Sequence, residues 1–378
     1  MASIAEVAQR AGVARSTVSK ALNGTQPVHP ATRERILAAV AELGYRPNAT
    51  AKNLRARRTR TVALSIPLDI PGRKVGHGPF APFFEYIADR LNELDYKLLC
   101  LVSRSPEADE LVRLAREGHA DGLLLLQIRL HDARLSALLA EDLPFVAMGR
   151  CEDQPDLAWV DTDLEGAADL AVRHLLEGGH RRLAFLGAQP IFGYQHHALR
   201  GFKRAHDVAG LPLRPDDLLP YDPATGIQAA LQPFLHRDDG PTALITSADL
   251  EAVEALHFFS AHGLRVPDQV ALVTLGDSPL TQLAKPAITA VFYAIEDYCR
   301  YAVDLLIDLI EGKDPPRRQV LLPEILIQRE SSVPTPRLAA RHVEQHPGQR
   351  AGEHATAREE RDGPSHAGIT YERRGTHG

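Results

Sequence analysis

Four hydrogen-bond donors, Arg15, Ser16, Ser19 and Lys20, fall within six residues near the start of the chain. Val18 and Leu22 stand at helical spacing, so one face of a short helix can be buried while the donors stay in water. Such a face suits a polyanion, because cationic and hydroxyl groups satisfy phosphate oxygens and Arg or Lys can also donate to O6 and N7 of guanine. The charge around them agrees. Residues 1–60 carry eleven Lys and Arg against three acids, a net +8, whereas the remaining 318 residues carry 32 against 46, a net −14. A basic head on an acidic body suggests that the head meets a polyanion and the body does something else, although a solvated basic face would look the same by charge alone.

Covalent and metal chemistry have no comparable support. GxGxxG, GxxxxGKS/T, GxSxG and HExxH are absent, so no enzyme is expected. Cys100, Cys151 and Cys299 form no CxxC pair and no Cys/His cluster has zinc-ligand spacing, which argues against disulfides, metals and other cofactors. His196-His197 cannot be assumed to face one metal. The start of the chain has no apolar stretch behind a basic one, and nowhere do eighteen apolar residues run together, so a cytoplasmic, non-membrane protein is expected.

The donors need helices to hold them. Ser3-Ile4-Ala5-Glu6 has capping-box spacing, and Ile4, Val7, Ala8 and Ala11 make one apolar stripe ending at Gly12. A second helix is expected over about Arg15–Leu22. A third, over about Thr32–Leu43, turns Ile36, Leu37, Val40 and Leu43 inward and stops at Gly44. Three short helices around a small core make a helix-turn-helix. Pro47–Arg55 is helix-competent from Asn48 but only about two turns long, too short to be stable alone. Within it Leu54 is apolar with nothing to bury against in a monomer, and Arg57–Arg60 looks like a linker in electrostatic contact with phosphates.

From Thr61 short apolar runs alternate with amphipathic stretches. Strands are expected at Thr61–Ile66, Lys97–Val102, Gly122–Gln127, Phe145–Met148, Leu183–Leu186, Ala243–Thr246 and Val270–Leu275. Helices are expected at Phe83–Asp95, Glu107–Glu117, Gly166–Glu177, Gly201–Ala209, Leu250–His262 and Ile295–Glu311. That alternation argues for parallel α/β sheets, and the length for two lobes. In such sheets ligands sit at strand C-termini, so the loops after Ile66, Met148, Gly187, Thr246 and Leu275 should line a cleft. Asp69–Pro82, rich in Gly and Pro, reads as a lid or equally as a variable surface loop. Residues 334–378 have almost no large apolar side chains and are expected to be disordered.

The runs IAEVAQRAGVARSTVSKALNG and ATRERILAAVAELGYRPNATAKNLRARRTRTVAL closely resemble the head of the LacI/GalR family of bacterial transcription regulators. The likeness continues through Glu177–Gly187, Arg200-Gly201-Phe202, Ser247–Leu250 and Pro323–Ser331, covering about residues 3–333. It implies an all-α helix-turn-helix domain at 1–46, a hinge helix and linker at 47–60, and an effector-binding and dimerisation domain at 61–333. That domain would have the type I periplasmic-binding-protein fold: two Rossmann-like parallel-sheet lobes, about 61–160 plus 290–322 and 161–289 plus 323–333, joined by three crossing strands.

By the same resemblance Arg15 and Ser16 read bases, with Lys20 as their partner in place of the Arg of many relatives. Thr17, Ser19 and Asn23 contact phosphates or flanking bases, unless Thr17 and Asn23 merely pack and cap. Ser3, Tyr45 and Asn48 join the DNA-binding set, and Leu54 wedges into the minor groove at the operator centre. The implied partners are a palindromic double-stranded operator, a second copy of the chain and a small effector, most often a carbohydrate. Effector candidates are Phe83 and Phe84 as stacking platforms, Arg150 and Asp161 as polar anchors, Phe192 as a wall, and Asp249 and Asp277 as acceptors. Two departures bear on the effector. Ala198 stands three residues before Gly201-Phe202 where sugar binders carry Arg, and Gly276 stands where the first Asp of the usual Phe-Asp-Asp/Ser pattern belongs. The implied role is a repressor of carbohydrate genes released by its effector, or else a corepressor-dependent repressor or activator that answers a non-sugar metabolite.

Overall fold

The computed structural model describes residues 2–23, 27–45, 58–67, 80–103, 108–141, 143–154, 156–187, 192–221, 226–235 and 240–333. Asn48, Leu54, most of the 69–82 loop and the 334–378 tail lie outside them.

The head is three helices, α1 (Ile4–Ala11), α2 (Arg15–Asn23) and α3 (Pro30–Leu43). Ser3 caps α1 in both directions: the Glu6 N–H donates to its Oγ at 3.3 Å, and its own N–H donates to Glu6 Oε2 at 2.6 Å. Gly12 then takes φ 65°, which a residue without Cβ adopts at little cost, and the chain turns into α2. The third helix starts two residues before the expected Thr32, at Pro30, whose fixed φ suits a first helical turn. Val7, Ala8, Ala11, Val18, Ala21, Ile36 and Ala39 are the buried core. Leu37, expected to point inward, is 49% exposed. Ile36, Ala39, Val40 and Leu43 form the inward stripe, and Leu37 lies about 100° further round the helix.

The body has two sheets. β1 (Thr61–Pro67), β2 (Lys97–Ser103), β3 (Gly122–Leu125), β4 (Phe145–Met148), β5 (Trp159–Thr162) and β11 (Gln319–Leu322) form an all-parallel sheet in the order β11-β5-β4-β3-β1-β2. β6 (Leu183–Leu186), β7 (Leu218–Leu219), β8 (Ala243–Thr246), β9 (Ala271–Thr274), β10 (Thr289–Phe292) and β12 (Ile325–Ile327) form the second, ordered β12-β10-β9-β8-β6-β7, with β12 antiparallel. The helices packed on the first sheet are α4 (Ala81–Glu93), α5 (Ala108–Arg116), α6 (Ala133–Ala140) and α11 (Ile295–Ile310). Those of the second lobe are α7 (Leu164–Glu177), α8 (Gly193–Ala209), α9 (Asp249–Ala261) and the short α10 (Pro279–Leu283).

The chain crosses between lobes three times, at β5 to α7, β10 to α11 and β11 to β12. The second crossing comes after Phe292 rather than at about 290, because β10 pairs with β9 and β12 of the second sheet. Likewise β5 keeps Asp161 and Thr162 in the first sheet, paired with Leu321 and Leu322. Helix α8 begins eight residues before the expected Gly201.

Candidate functional site

Two surfaces carry candidate chemistry. On the head, α2 leaves Arg15, Ser16 and Lys20 exposed and Thr17 and Ser19 half-buried, while Val18 is fully buried. The donors therefore form one outward edge on a helix anchored by its opposite side. Asn23 closes that helix. Ser3 already spends its hydroxyl on the α1 cap, and Tyr45 is half-buried against the helical core. The two have built-in structural jobs beside the DNA role expected of them.

Where the linker reaches the body, Asp121 accepts three hydrogen bonds: Thr59 N–H at 2.6 Å and Thr59 Oγ1 at 2.8 Å on Oδ1, and Arg60 N–H at 2.8 Å on Oδ2. Arg58 donates to the Ile310 carbonyl at 3.0 Å, and Arg60 donates to the Leu94 carbonyl and lies over the Tyr96 ring. These two arginines are thus turned onto the body instead of outward to phosphates as expected, because carbonyls and the face of the Tyr96 ring there engage them.

A cavity of about 500 Å³ lies between the lobes at the C-terminal ends of the strands. Its walls come from the loops after β3, β4, β8 and β9, from the starts of α4 and α8, and from the first two crossings. Phe80, Phe83, Tyr194, Phe292, Tyr293 and Tyr298 supply rings, Asp161, Asp249 and Asp277 supply carboxylates, and among the described residues no Lys, Arg or His lines it.

The expected effector residues divide. Phe83 is in the wall, edge-on to Tyr298 with centroids 5.9 Å apart, whereas Phe84 packs into the first-lobe core. Asp249 is in the wall at the start of α9, its Oδ1 accepting the Leu250 N–H at 2.9 Å. Asp161 is there too, but its Oδ2 accepts Arg150 Nε at 2.8 Å and Arg150 N–H at 3.2 Å, and its Oδ1 accepts Thr162 N–H. Burial pushes that carboxyl up in spite of Arg150.

Arg150 itself is not in the wall. It is drawn aside by Asp161 and by the Trp159 ring. Nor is Phe192, which stacks at 5.8 Å on Tyr194, and Tyr194 takes the wall position. Asp277 reaches the wall with both oxygens engaged: Arg329 Nη1 and Nη2 donate to them at 2.8 and 2.7 Å, and Thr281 Oγ1 donates at 2.6 Å. Burial would raise its carboxyl, yet Arg329 and Thr281 hold it below the usual range. It is a built-in ion pair before it is a ligand acceptor.

Ala198 is buried in the second-lobe core. Gly276 is in the wall, where a Cβ would meet only the Asp249 nitrogen at 3.9 Å, so the missing carboxylate leaves open space.

Several wall residues were not expected from the sequence. Phe292 ends β10 and Tyr293 follows it, the strand opening on Thr and Ala in place of a run of large apolar residues, and Tyr298 lies on the next helix; the aromatic pair just before a helix was the available signal. Gln127 was missed because polar residues after a strand usually face solvent. Outside the wall, on the third crossing, Glu324 has both side-chain oxygens buried beside Thr162. Burial, with Asp161 and Asp163 nearby, pushes its carboxyl up to about 8.

The lobes touch beside this cavity. Gly193 N–H, at the start of α8, donates to the Ile128 carbonyl at 2.9 Å, and Arg129 and Phe192 form an antiparallel bridge. A Cβ on Gly193 would lie 2.8 Å from the Arg150 carbonyl oxygen, so this approach needs glycine. Arg200 of the second lobe also pairs with Glu152 of the first. The arrangement has the form of a ligand-binding cleft with its two lobes in contact beside the cavity.

Known proteins agree with both surfaces. Residues 3–48 match the family described as bacterial regulatory proteins, lacI family, and residues 172–332 match the periplasmic binding protein-like domain. The HTH-type transcriptional regulator CelR of Thermobifida fusca is 34% identical over 332 residues, 86% of this chain and 96% of CelR. A solved complex of the transcriptional regulator CelR with cellobiose is 32% identical, with TM-score 0.66 over 88% of this chain and all of that one. The lac repressor dimer bound to operator and the anti-inducer ONPF has TM-score 0.76 over 88% of this chain and 99% of that one; at 22% identity it attests the fold. The chain therefore belongs to the lacI family of bacterial regulatory proteins, as a DNA-binding transcription regulator with a helix-turn-helix head and a type I periplasmic-binding-protein body, and it is not an enzyme.

Proposed function

We propose that the protein is a repressor of carbohydrate uptake or catabolism genes, released from a palindromic operator when an uncharged saccharide enters the cleft. The observation that carries this reading is the cavity wall, with six aromatic rings, three carboxylates and no cationic side chain among the described residues. Aromatic faces stack on the C–H faces of sugar rings, and Asp249, less engaged within the protein than Asp161 and Asp277, can accept from a hydroxyl with a charge-assisted bond. Among the described residues, a phosphorylated sugar or other anion would meet carboxylates and no wall cation to neutralise it. A cavity of about 500 Å³ has room for two sugar rings, in keeping with the cellobiose bound to CelR.

On the DNA side, Arg15 and Ser16 read bases with Lys20, and Thr17, Ser19 and Asn23 support them on phosphates or flanking bases. Ser3, Tyr45 and Asn48 steady the head on the duplex, and Leu54 wedges into the operator centre. Two copies act together; Leu280 and Leu283 on α10, the latter 78% exposed, support a paired surface. Ligand closure would shift that pairing and melt the marginal hinge helices, so the coupling runs through a local folding equilibrium.

The test is fluorescence anisotropy of a labelled palindromic operator, obtained by in vitro selection, with a panel of neutral mono- and disaccharides and their phosphates. Release by a neutral saccharide is expected. Tightening by a ligand would make the protein a corepressor-dependent regulator, and indifference to every saccharide would turn attention to a non-sugar effector, for which the empty space at Gly276 would be the reason. Leu54→Ala should weaken specific binding far more than nonspecific binding; equal losses would remove the wedge.

A further inference from the structure

The loop after β3 does three things at once. Leu126 and Gln127 lead out of the strand, and Gln127 takes φ 55°, uncommon for a residue with a side chain. A buried guanidinium holds it there. Arg134 Nη2 donates to the Leu126 and Gln127 carbonyls, both at 3.1 Å, and Asp132 fixes Arg134 through Nε at 2.9 Å and Nη2 at 2.6 Å. The Arg134 and Asp132 side chains are 6% and 3% exposed, and Asp132 also caps α6 by accepting the Arg134 N–H. Gln127 thereby enters the cavity wall with its Oε1 buried and without a partner among the described residues. The next residue, Ile128, offers the carbonyl that receives the Gly193 N–H of the other lobe.

A buried amide oxygen without a donor is costly, and a ligand hydroxyl would relieve that cost. A hydroxyl both donates and accepts, so it suits either end of the amide. We propose that Gln127 reads one hydroxyl of the effector, and that its Arg134-clamped loop also fastens the second lobe over the bound ligand through Ile128 and Gly193. The inference rests on the carbohydrate reading above. It makes Gln127 a specificity-determining residue, Arg134 a positioning residue, and the Gly193 amide a reporter of closure.

Calorimetry of the full chain with the neutral saccharide panel tests it, on wild type, Gln127→Leu and Gln127→Asn. Leu keeps the bulk and loses the amide. Asn shortens the reach and tolerates positive φ better than most residues, so a folding defect is not expected. Both variants should bind the saccharide about tenfold more weakly. One monodeoxy analogue should lose the same factor against wild type and bind Gln127→Leu no worse than the parent sugar does. In hydrogen exchange at equal occupancy, saccharide should slow the Gly193 amide in wild type and less so in Gln127→Asn. Equal affinity of wild type and both variants overturns the hydroxyl contact while leaving the carbohydrate reading intact. Unchanged Gly193 protection overturns the fastening. A wild type that binds no saccharide overturns the carbohydrate reading, and with it the hydroxyl assigned to Gln127.

Discussion

The head and the cleft solve the problem of positioning side chains in opposite ways. In the head, Arg15, Ser16 and Lys20 share one helix, seven apolar residues hold that helix, and the ion pair joining α1 to α3, Arg10 with Glu42, is more than half exposed on both sides. In the cleft, Phe83, Gln127, Asp161, Asp249 and Tyr293 come from five separate segments, and buried polar contacts lock the loops between them. A contact surface on one helix needs only that helix to form. A cavity made of strand ends needs each loop fixed individually, and buried charge does the fixing.

The largest expected effect sets these two uses of charge against each other. Arg329→Met leaves Asp277 buried opposite an apolar side chain and should destabilise the body by about 3 kcal/mol in urea denaturation. A variant as stable as wild type would mean that Asp277 is already solvated.

Glu324→Gln comes next, and its effect depends on pH. An unfolded glutamate ionises near 4.5, whereas burial holds this one protonated up to about 8. Below the lower value both states are protonated and the burial costs nothing. Between the two values only the unfolded chain releases its proton, so stability falls as pH rises. The variant should remove that slope, matching wild type near pH 4.5 and exceeding it by an amount that grows to a maximum near pH 8. Thermal melts across this range check it, and parallel curves for the two proteins would show that Glu324 is ionised in the fold.

On the head, Arg15→Ala should relax base preference at one operator position by about tenfold, measured by selection and sequencing of bound duplexes. Weaker binding with unchanged preference would make Arg15 a phosphate contact. Smallest of all, Arg10→Ala should leave the melting of the head unchanged, since both partners are solvated. A measurable loss there would erase the contrast between the two regions.

The same contrast explains what the sequence made legible. Capping box, glycine turns and apolar stripe are local patterns, so the three helices of the head could be read directly, apart from the rotation that exposes Leu37. In the body, the long alternation of apolar runs showed the parallel sheets. Missed were β5, β7, β10 to β12, α6 and α10; β5, β10 and β11 are as long as the strands that were expected but carry Asp, Thr or Gln at their ends in place of an unbroken apolar run, and β7, β12 and α10 have only two to five residues. The crossings lie among those pieces, which is why the second was expected about three residues early. Cavity residues were legible by position but not by direction. Phe192 and Tyr194 are two residues apart at a helix start, and only the fold decides which ring enters the cleft. Arg150 and Asp161 pair with each other across the loops of adjacent strands, a contact that spacing in the chain does not encode.

The joint at Asp121 has a consequence for how such proteins can be recombined. Two of its three hydrogen bonds come from backbone N–H groups, of Thr59 and Arg60, which almost any residue would provide; only the Thr59 hydroxyl is specific to the side chain. The receiving half of the seam therefore belongs to the body, while the incoming half adds side-chain contacts of its own, from Arg58 and Arg60, and a positive φ of 54° at Arg60. A head grafted from a relative at this point should find its socket when it also brings partners for the Ile310 and Leu94 carbonyls, so new pairings of operator and effector can be built by exchange at this one junction.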